Sequence, residues 1–200
     1  MKIGLVPISA KPYHAGHHWL VNQAAEQNDM VLLFVSTSDR TRKGEFPIYG
    51  DDMRKVWLTH LEPIMPANVE IVYGGSPVQK VYKTLEEIQP GSESIYTVYS
   101  DVQDTVLNYP LVNREKYFPV PWGEGQVHFA AEENPALFTR GSGAPNISGS
   151  KARDMLKRGD IEAFKALMPS GVNATDVFNA LGGSVSEAYL REYIGTILRF

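Results

Sequence analysis

An α/β fold, a parallel sheet with helices on both faces and a helical C-terminal end, is what this sequence predicts. Three observations predict it. Short apolar runs rich in branched residues recur at 2–8, 30–36, 69–73 and 94–99. Segments of helical periodicity separate them. From residue 149 onward only helical patterns remain. Strands alternating with helices pack as a parallel sheet joined by right-handed crossovers.

The first run, 2–8, suits a strand buried on both faces. A turn containing Pro12 follows, and 16–28 reads as a helix with Trp19, Leu20, Ala24 and Ala25 at helical spacing. The second strand, 30–36, leads into a polar, basic loop. The helix expected at 50–61 carries Asp51 and Asp52 in its first turn, where they favour the positive end of the dipole, and Pro63 and Pro66 end it. The strand at 69–73 precedes a helix at 77–88, with Pro77 at a tolerated early position. The fourth strand, 94–99, precedes a short helix at 102–108. The stretch 110–146 reads as irregular, with short strands near Tyr117–Val120 and Val127–Ala130. Helices are expected at 149–158, 160–167, 174–181 and 184–197. No internal repeat, low-complexity tract or dividing linker is visible. A single domain is therefore expected.

Composition removes several classes of function. The 200 residues include no cysteine, which excludes disulfides, thiolate catalysis and cysteine-bound zinc, and five histidines offer little for a purely His-based zinc site. The net charge of −4 and a pI near 5.7 argue against non-specific nucleic-acid binding. No run approaches the ~20 apolar residues of a membrane span. The N-terminal apolar run, broken by Pro7, is too short for a signal peptide, so the expected location is the cytoplasm.

Ligands of such sheets bind at the carboxyl ends of the strands, which directs attention to the loops after strands one, two and four. The first holds Lys11, Pro12, Tyr13, His14, Ala15, Gly16 and His17. Gly16 lets a ligand approach the backbone, and the helix it opens offers free N–H groups to an anion. Two imidazoles there would donate to a phosphate. Alternatively they cap the turn. Far downstream, Ile147, Ser148, Gly149, Ser150, Lys151, Ala152 and Arg153 open another helix. Ser148 is an N-cap candidate, Ser150 offers a hydroxyl, and Arg153 suits phosphate oxygens. Plain helix capping with a solvated Lys/Arg face is the other reading.

Together the two segments resemble the nucleotidyltransferase superfamily related to class I aminoacyl-tRNA synthetases. Its His-x-Gly-His signature stands here as His14-Ala15-Gly16-His17, after Pro12-Tyr13, and its Ile-Ser-x-Ser/Thr-x-x-Arg signature as Ile147 to Arg153. One departure stands out: many members carry a glycine a few residues before the histidines, where this chain has Pro7-Ile8-Ser9-Ala10. The resemblance implies a Rossmann-like, doubly wound domain, with its catalytic core over about 1–160 and a helical extension over about 160–200. It implies transfer of a nucleoside monophosphate from a nucleoside triphosphate to a small phosphate-bearing acceptor, with pyrophosphate leaving and Mg²⁺ accompanying the phosphates. No protein-held metal, nucleic acid or membrane is expected, and a homo-oligomer is left open.

Roles follow from the resemblance. His14, His17, Lys11 and Arg153 would be catalytic. Ile8, Ser9, Gly16, His17, Ile147, Ser148, Ser150 and Arg153 would bind nucleotide. Lys43 and Arg54 resemble an acceptor-binding region, and Ser100 and Asp101 follow strand four, where some members bind nucleotide or acceptor. Each has a plainer alternative. Lys11 is a surface lysine, and Arg40, Arg42 and Lys43 are a solvated basic cluster. Asp101 bonds its own turn, and Trp122 anchors a loop rather than walling a base. The form Ile-Ser-Gly-Ser-Lys-Ala-Arg leans toward ATP and the adenylyl branch, nicotinamide mononucleotide enzymes especially. The alternatives are a cytidylyltransferase making a CDP-alcohol and a nucleotide-binding regulator without turnover. A tRNA-charging enzyme is poorly supported in a short acidic chain.

Overall fold

In the computed structural model, which describes residues 1–89 and 91–183, the chain forms two compact units. The helix expected at 184–197 lies outside the described residues. The first unit comprises 1–10, 16–36 and 66–146, and the second 11–15, 37–65 and 147 onward. Among the described residues no helix is long and apolar enough to cross a membrane.

The first unit is an α/β Rossmann-like sheet with helices around it. Its strands are β1 (Lys2–Ile8), β2 (Met30–Val35), β3 (Val69–Tyr73), β4 (Ile95–Val98) and β5 (Val127–Phe129), all parallel, in the order β3-β2-β1-β4-β5. β1 is central because its apolar run has no solvent face: Leu5 and Val6 are wholly buried. Register sets Leu5 against Leu32 on one side and Val98 on the other. The order reverses between β1 and β4, so the carboxyl ends of these two strands flank the switch point where such sheets hold ligands.

Helix α1 (Ala15–Gln27) follows β1, and α2 (Gly50–Val56) lies in the second unit. Around the sheet run α3 (Pro77–Glu86), α4 (Val102–Asn108), α5 (Leu111–Tyr117), α6 (Pro119–Gly123) and α7 (Ala130–Glu133). Ile3, Leu5, Phe34, Val81, Leu85, Val98 and Phe129 make the core beneath them. The second unit adds α8 (Gly149–Arg158), α9 (Ile161–Lys165) and α10 (Ala174–Ala180). Its core includes Trp57, Leu156, Phe164 and Phe178, the last two in edge contact with ring centroids 5.4 Å apart.

Two expectations are corrected. Tyr117–Val120 is no strand: it joins α5 to α6, with Phe118 buried at the junction. Pro119 and Pro121 cannot donate to a sheet ladder, whereas Pro119 fits the first position of a helix. Arg114 anchors the segment: its Nε donates to the Tyr109 carbonyl at 2.7 Å, and its guanidinium lies 3.7 Å from the centre of the Phe129 ring. Nor is 50–61 one α-helix. After Val56 it widens to a π turn at Trp57–Leu61, then tightens to a 3₁₀ turn at Glu62–Ile64. The Glu62 N–H bonds the Trp57 carbonyl, and Pro63 removes the next donor, so a regular helix cannot continue.

Candidate functional site

Most of the predicted site residues fall within the second unit, and of these Lys11 and Ser150 bond Arg153. Ser148 caps α8, its Oγ accepting from the Lys151 N–H at 3.3 Å. Gly149 opens the helix, and Arg153 stands one turn on, only 4% exposed. Its Nη1 donates to the Lys11 carbonyl at 2.6 Å, across 142 positions of sequence, and its Nη2 donates to Ser150 Oγ at 2.9 Å. A β-carbon at residue 149 would stand 3.1 Å from both Arg153 Nη1 and the Lys11 oxygen, so glycine keeps that bond short. Burial and nearby Arg40 pull the Arg153 pKa below its ordinary value, against the pull of Glu45. The guanidinium remains a cation at neutral pH.

Lys11, Tyr13 and His14 are all buried. Tyr13 packs edge-on against Trp57, with ring centroids 4.9 Å apart, and fastens the loop to the second unit's core. The Ala15 N–H donates to the Leu167 carbonyl at 2.8 Å. Lys11 is 5% exposed, and its Nζ has no hydrogen-bond partner among the described residues. Burial lowers its pKa, and the charge of Asp39 partly offsets this. A buried ammonium without a hydrogen-bond partner is costly, and an anion would satisfy it.

The loop after β2 supplies the remaining charge. Asp39 Oδ1 accepts from the Gly50 N–H at 2.7 Å, at the start of α2. Arg40 and Ile48 exchange backbone bonds of 2.8 and 3.0 Å and close a short hairpin. Within it, Arg40 Nε and Nη2 donate to Glu45 Oε2 and Oε1 at 2.8 and 3.0 Å. Arg153 Nε stands 3.1 Å from Glu45 Oε2. The bond from Arg40, then the charge of Arg153, hold the Glu45 carboxyl down at about 2. Arg42, Lys43 and Arg54 are exposed, and Ile147 is half-buried in the same unit.

The other predicted residues belong to the first unit. Ile8 ends β1 in the core, and Ser9 is exposed. Buried Ala10 has φ 49°, the left-handed region where glycine is at home, in the glycine-free stretch Pro7–Ala10. Gly16 and His17 lie half-buried in the first turn of α1. Ser100 Oγ lies 2.7 Å from Thr105 Oγ1. Asp101 caps α4, accepting from the Asp104 N–H at 2.8 Å, and pairs with Arg140. The Asp104 bond lies within Asp101's own turn, whereas Arg140 comes from 39 positions away. Trp122 packs on Phe129 and lies 4.8 Å from the Arg114 guanidinium, as a loop anchor does.

Glu45 escaped the sequence reading. It is the only acid between Arg40 and Ile48, a signal that pointed to pairing with its basic neighbours. The second unit carries groups whose chemistry suits an anion: the Arg153 guanidinium, the buried Lys11 ammonium, a serine hydroxyl and the amino end of α8.

Residues 3–49 match the family model of the citrate lyase ligase C-terminal domain, which belongs to the nucleotidyltransferase-like superfamily. The matched stretch runs from β1 through the Lys11–His17 segment, α1 and β2 to the end of the Arg40–Ile48 hairpin, and stops short of α8. No curated protein matches the chain.

Proposed function

We propose that the chain is an adenylyltransferase: it moves AMP from ATP onto a small phosphate-bearing acceptor, with nicotinamide mononucleotide favoured, and releases pyrophosphate. One observation carries this reading. The two segments that resemble the superfamily's signatures are hydrogen-bonded to each other, Arg153 to the Lys11 carbonyl, and their cationic and hydroxyl groups suit phosphate oxygens.

In the proposed reaction an oxygen of the acceptor phosphate attacks the α-phosphorus of ATP. The bond from that phosphorus to the β-bridging oxygen breaks, and pyrophosphate leaves with the electron pair. No protein nucleophile is needed, and positioning and charge stabilisation supply the rate. Arg153, Ser148 and Ser150 hold the β and γ phosphates. Lys11, His14 and His17 stabilise charge at the α-phosphate. Ile8, Ser9, Gly16 and Ile147 border the nucleotide, and Lys43, Arg54, Ser100 and Asp101 are the acceptor-side candidates. Mg²⁺ belongs on the phosphates. The nearby carboxylate, Glu45, is engaged by two arginines, and among the described residues no cluster of three His, Asp or Glu forms a metal cage.

The test is pyrophosphate release with Mg²⁺, crossing ATP and CTP against nicotinamide mononucleotide, pantetheine phosphate, glycerol phosphate and phosphocholine. Release that needs ATP and one acceptor is expected, and Arg153→Ala should lower kcat/KM by roughly 10²-fold. Release with CTP alone would select the cytidylyl reading. A second reading, a nucleotide-binding regulator, rests on the stretch Pro7–Ala10, which holds no glycine although Ala10 takes φ 49°. ATP binding without release under any pair would favour it.

A further inference from the structure

We propose that Arg40 and Arg153 form a two-guanidinium seat for the terminal phosphates of the nucleotide, and that the Glu45 carboxylate plugs this seat until phosphate displaces it. The proposal rests on the triphosphate reading above and adds to it a ligand, Arg40, and an internal competitor.

Glu45 Oε2 accepts from Arg40 Nε at 2.8 Å and its Oε1 from Arg40 Nη2 at 3.0 Å, while Arg153 Nε forms an ion pair with Oε2 at 3.1 Å, outside hydrogen-bond geometry. Two guanidinium groups converging on one oxyanion are as complementary to phosphate as to carboxylate. The two sides of the seat differ in freedom. Arg153 is fixed by the Lys11 carbonyl and Ser150. Glu45 lies on a loop with its side chain 30% exposed, beside Gly44 at φ 87°, and a β-carbon at Gly44 would meet nothing within 4 Å. The Arg40–Ile48 backbone bonds secure the base of the hairpin and the Glu45 N–H bonds the Arg42 carbonyl at 3.1 Å in its tip, so release of the Glu45 side chain would leave the Arg40 backbone in place. One exposed tie holds the tip to α8, Lys157 Nζ donating to the Gly44 carbonyl at 2.9 Å.

Protonation does not open the seat. The arginines keep the Glu45 carboxyl down at about 2, so it stays an anion through neutral and mildly acidic pH. Displacement is therefore a competition, and terminal phosphates bring more negative charge than one carboxylate. Lys11 supplies an independent sign of an anion. Its buried Nζ has no hydrogen-bond partner among the described residues, and its own carbonyl holds Arg153.

The experiment titrates the full chain with inorganic tripolyphosphate by calorimetry at constant ionic strength. Glu45→Gln keeps the side-chain shape and removes the charge, so it should bind about tenfold tighter than wild type. Adding Arg40→Ala to that variant should lose about tenfold. Glu45→Ala serves as a second plug-free form, and thermal melts confirm that each variant folds. Unchanged or weaker binding by folded Glu45→Gln and Glu45→Ala would make Glu45 a strut for the arginines and overturn the plug. A double variant that binds as tightly as Glu45→Gln would overturn the seat. If folded wild type and Glu45→Gln both ignore tripolyphosphate, this proposal and the triphosphate reading fall together. If the expected pattern holds but no nucleotide and acceptor pair releases pyrophosphate, the seat stands and the transferase reading falls.

Discussion

At Lys11 the proposed anion role and folding stability pull in opposite directions. Burial lowers its pKa from 10.5, with Asp39 opposing. Between the lowered value and 10.5 the unfolded chain binds more protons than the folded one, so stability rises with pH across that window. The gain is complete above 10.5 and is lost as pH falls through the lowered value. Lys11→Met removes both the buried charge and this dependence. Relative to wild type, its stability advantage should be largest near neutral pH and shrink toward pH 10.5, as read by denaturant titration across that range. The same substitution should weaken tripolyphosphate binding at neutral pH by about tenfold. A variant that gained neither stability nor lost affinity would mean the ammonium finds water where the structure shows burial.

Helix starts decide where the charged groups stand. α8 begins at Ser148 because its hydroxyl takes an otherwise orphan N–H, and that fixes Ser150 and Arg153 on successive turns. α2 begins at Gly50 for a steric reason. A β-carbon there would lie 1.9 Å from the Thr37 carbonyl oxygen, a backbone atom that cannot step aside. Gly50→Ala should therefore displace the loop carrying Asp39, Arg40 and Glu45. The expected cost is about 3 kcal/mol, at the upper end for overpacking, seen as a lower melting temperature and weaker nucleotide binding together. Full stability in this variant would contradict the closeness of Gly50 to Thr37.

Two units share the chain, and each has its own core. In the first, β1 is hydrogen-bonded on both sides and Leu5 is wholly buried at its centre. Leu5→Ala should cost about 2–5 kcal/mol, depending on how far the neighbouring side chains close the gap. Denaturant titration of the full chain checks this, and a loss under 1 kcal/mol would show that the site around Leu5 collapses freely. The second unit is assembled from three separated stretches, and it is there that the Lys11–His14 segment, the Arg40–Ile48 hairpin and α8 come together.

Much of this is legible in local order. β1, β3 and α8 stand where the apolar runs and the Ser148 cap put them, because period, branching and capping act over a few residues. Pro119 and Pro121 were visible too, yet the aromatic and branched residues beside them suggested a strand. The outcome turned on the ladder donors those prolines lack, and on the Arg114–Phe129 contact and the buried ring of Phe118, which no local pattern displays. The turn alternative for Asp101 was legible, and Arg140, its partner from 39 positions away, was not. The sequence alone determined the strand and helix alternation, the two anion-suited segments and the chemistry that cysteine-free composition excludes. Only the tertiary structure decided that Arg153 grips the Lys11 carbonyl and that Glu45 lies on both arginines. The physical reason is range: capping and periodicity are local energies, whereas burial and ion pairing depend on which distant side chains the packed core brings within a few ångströms.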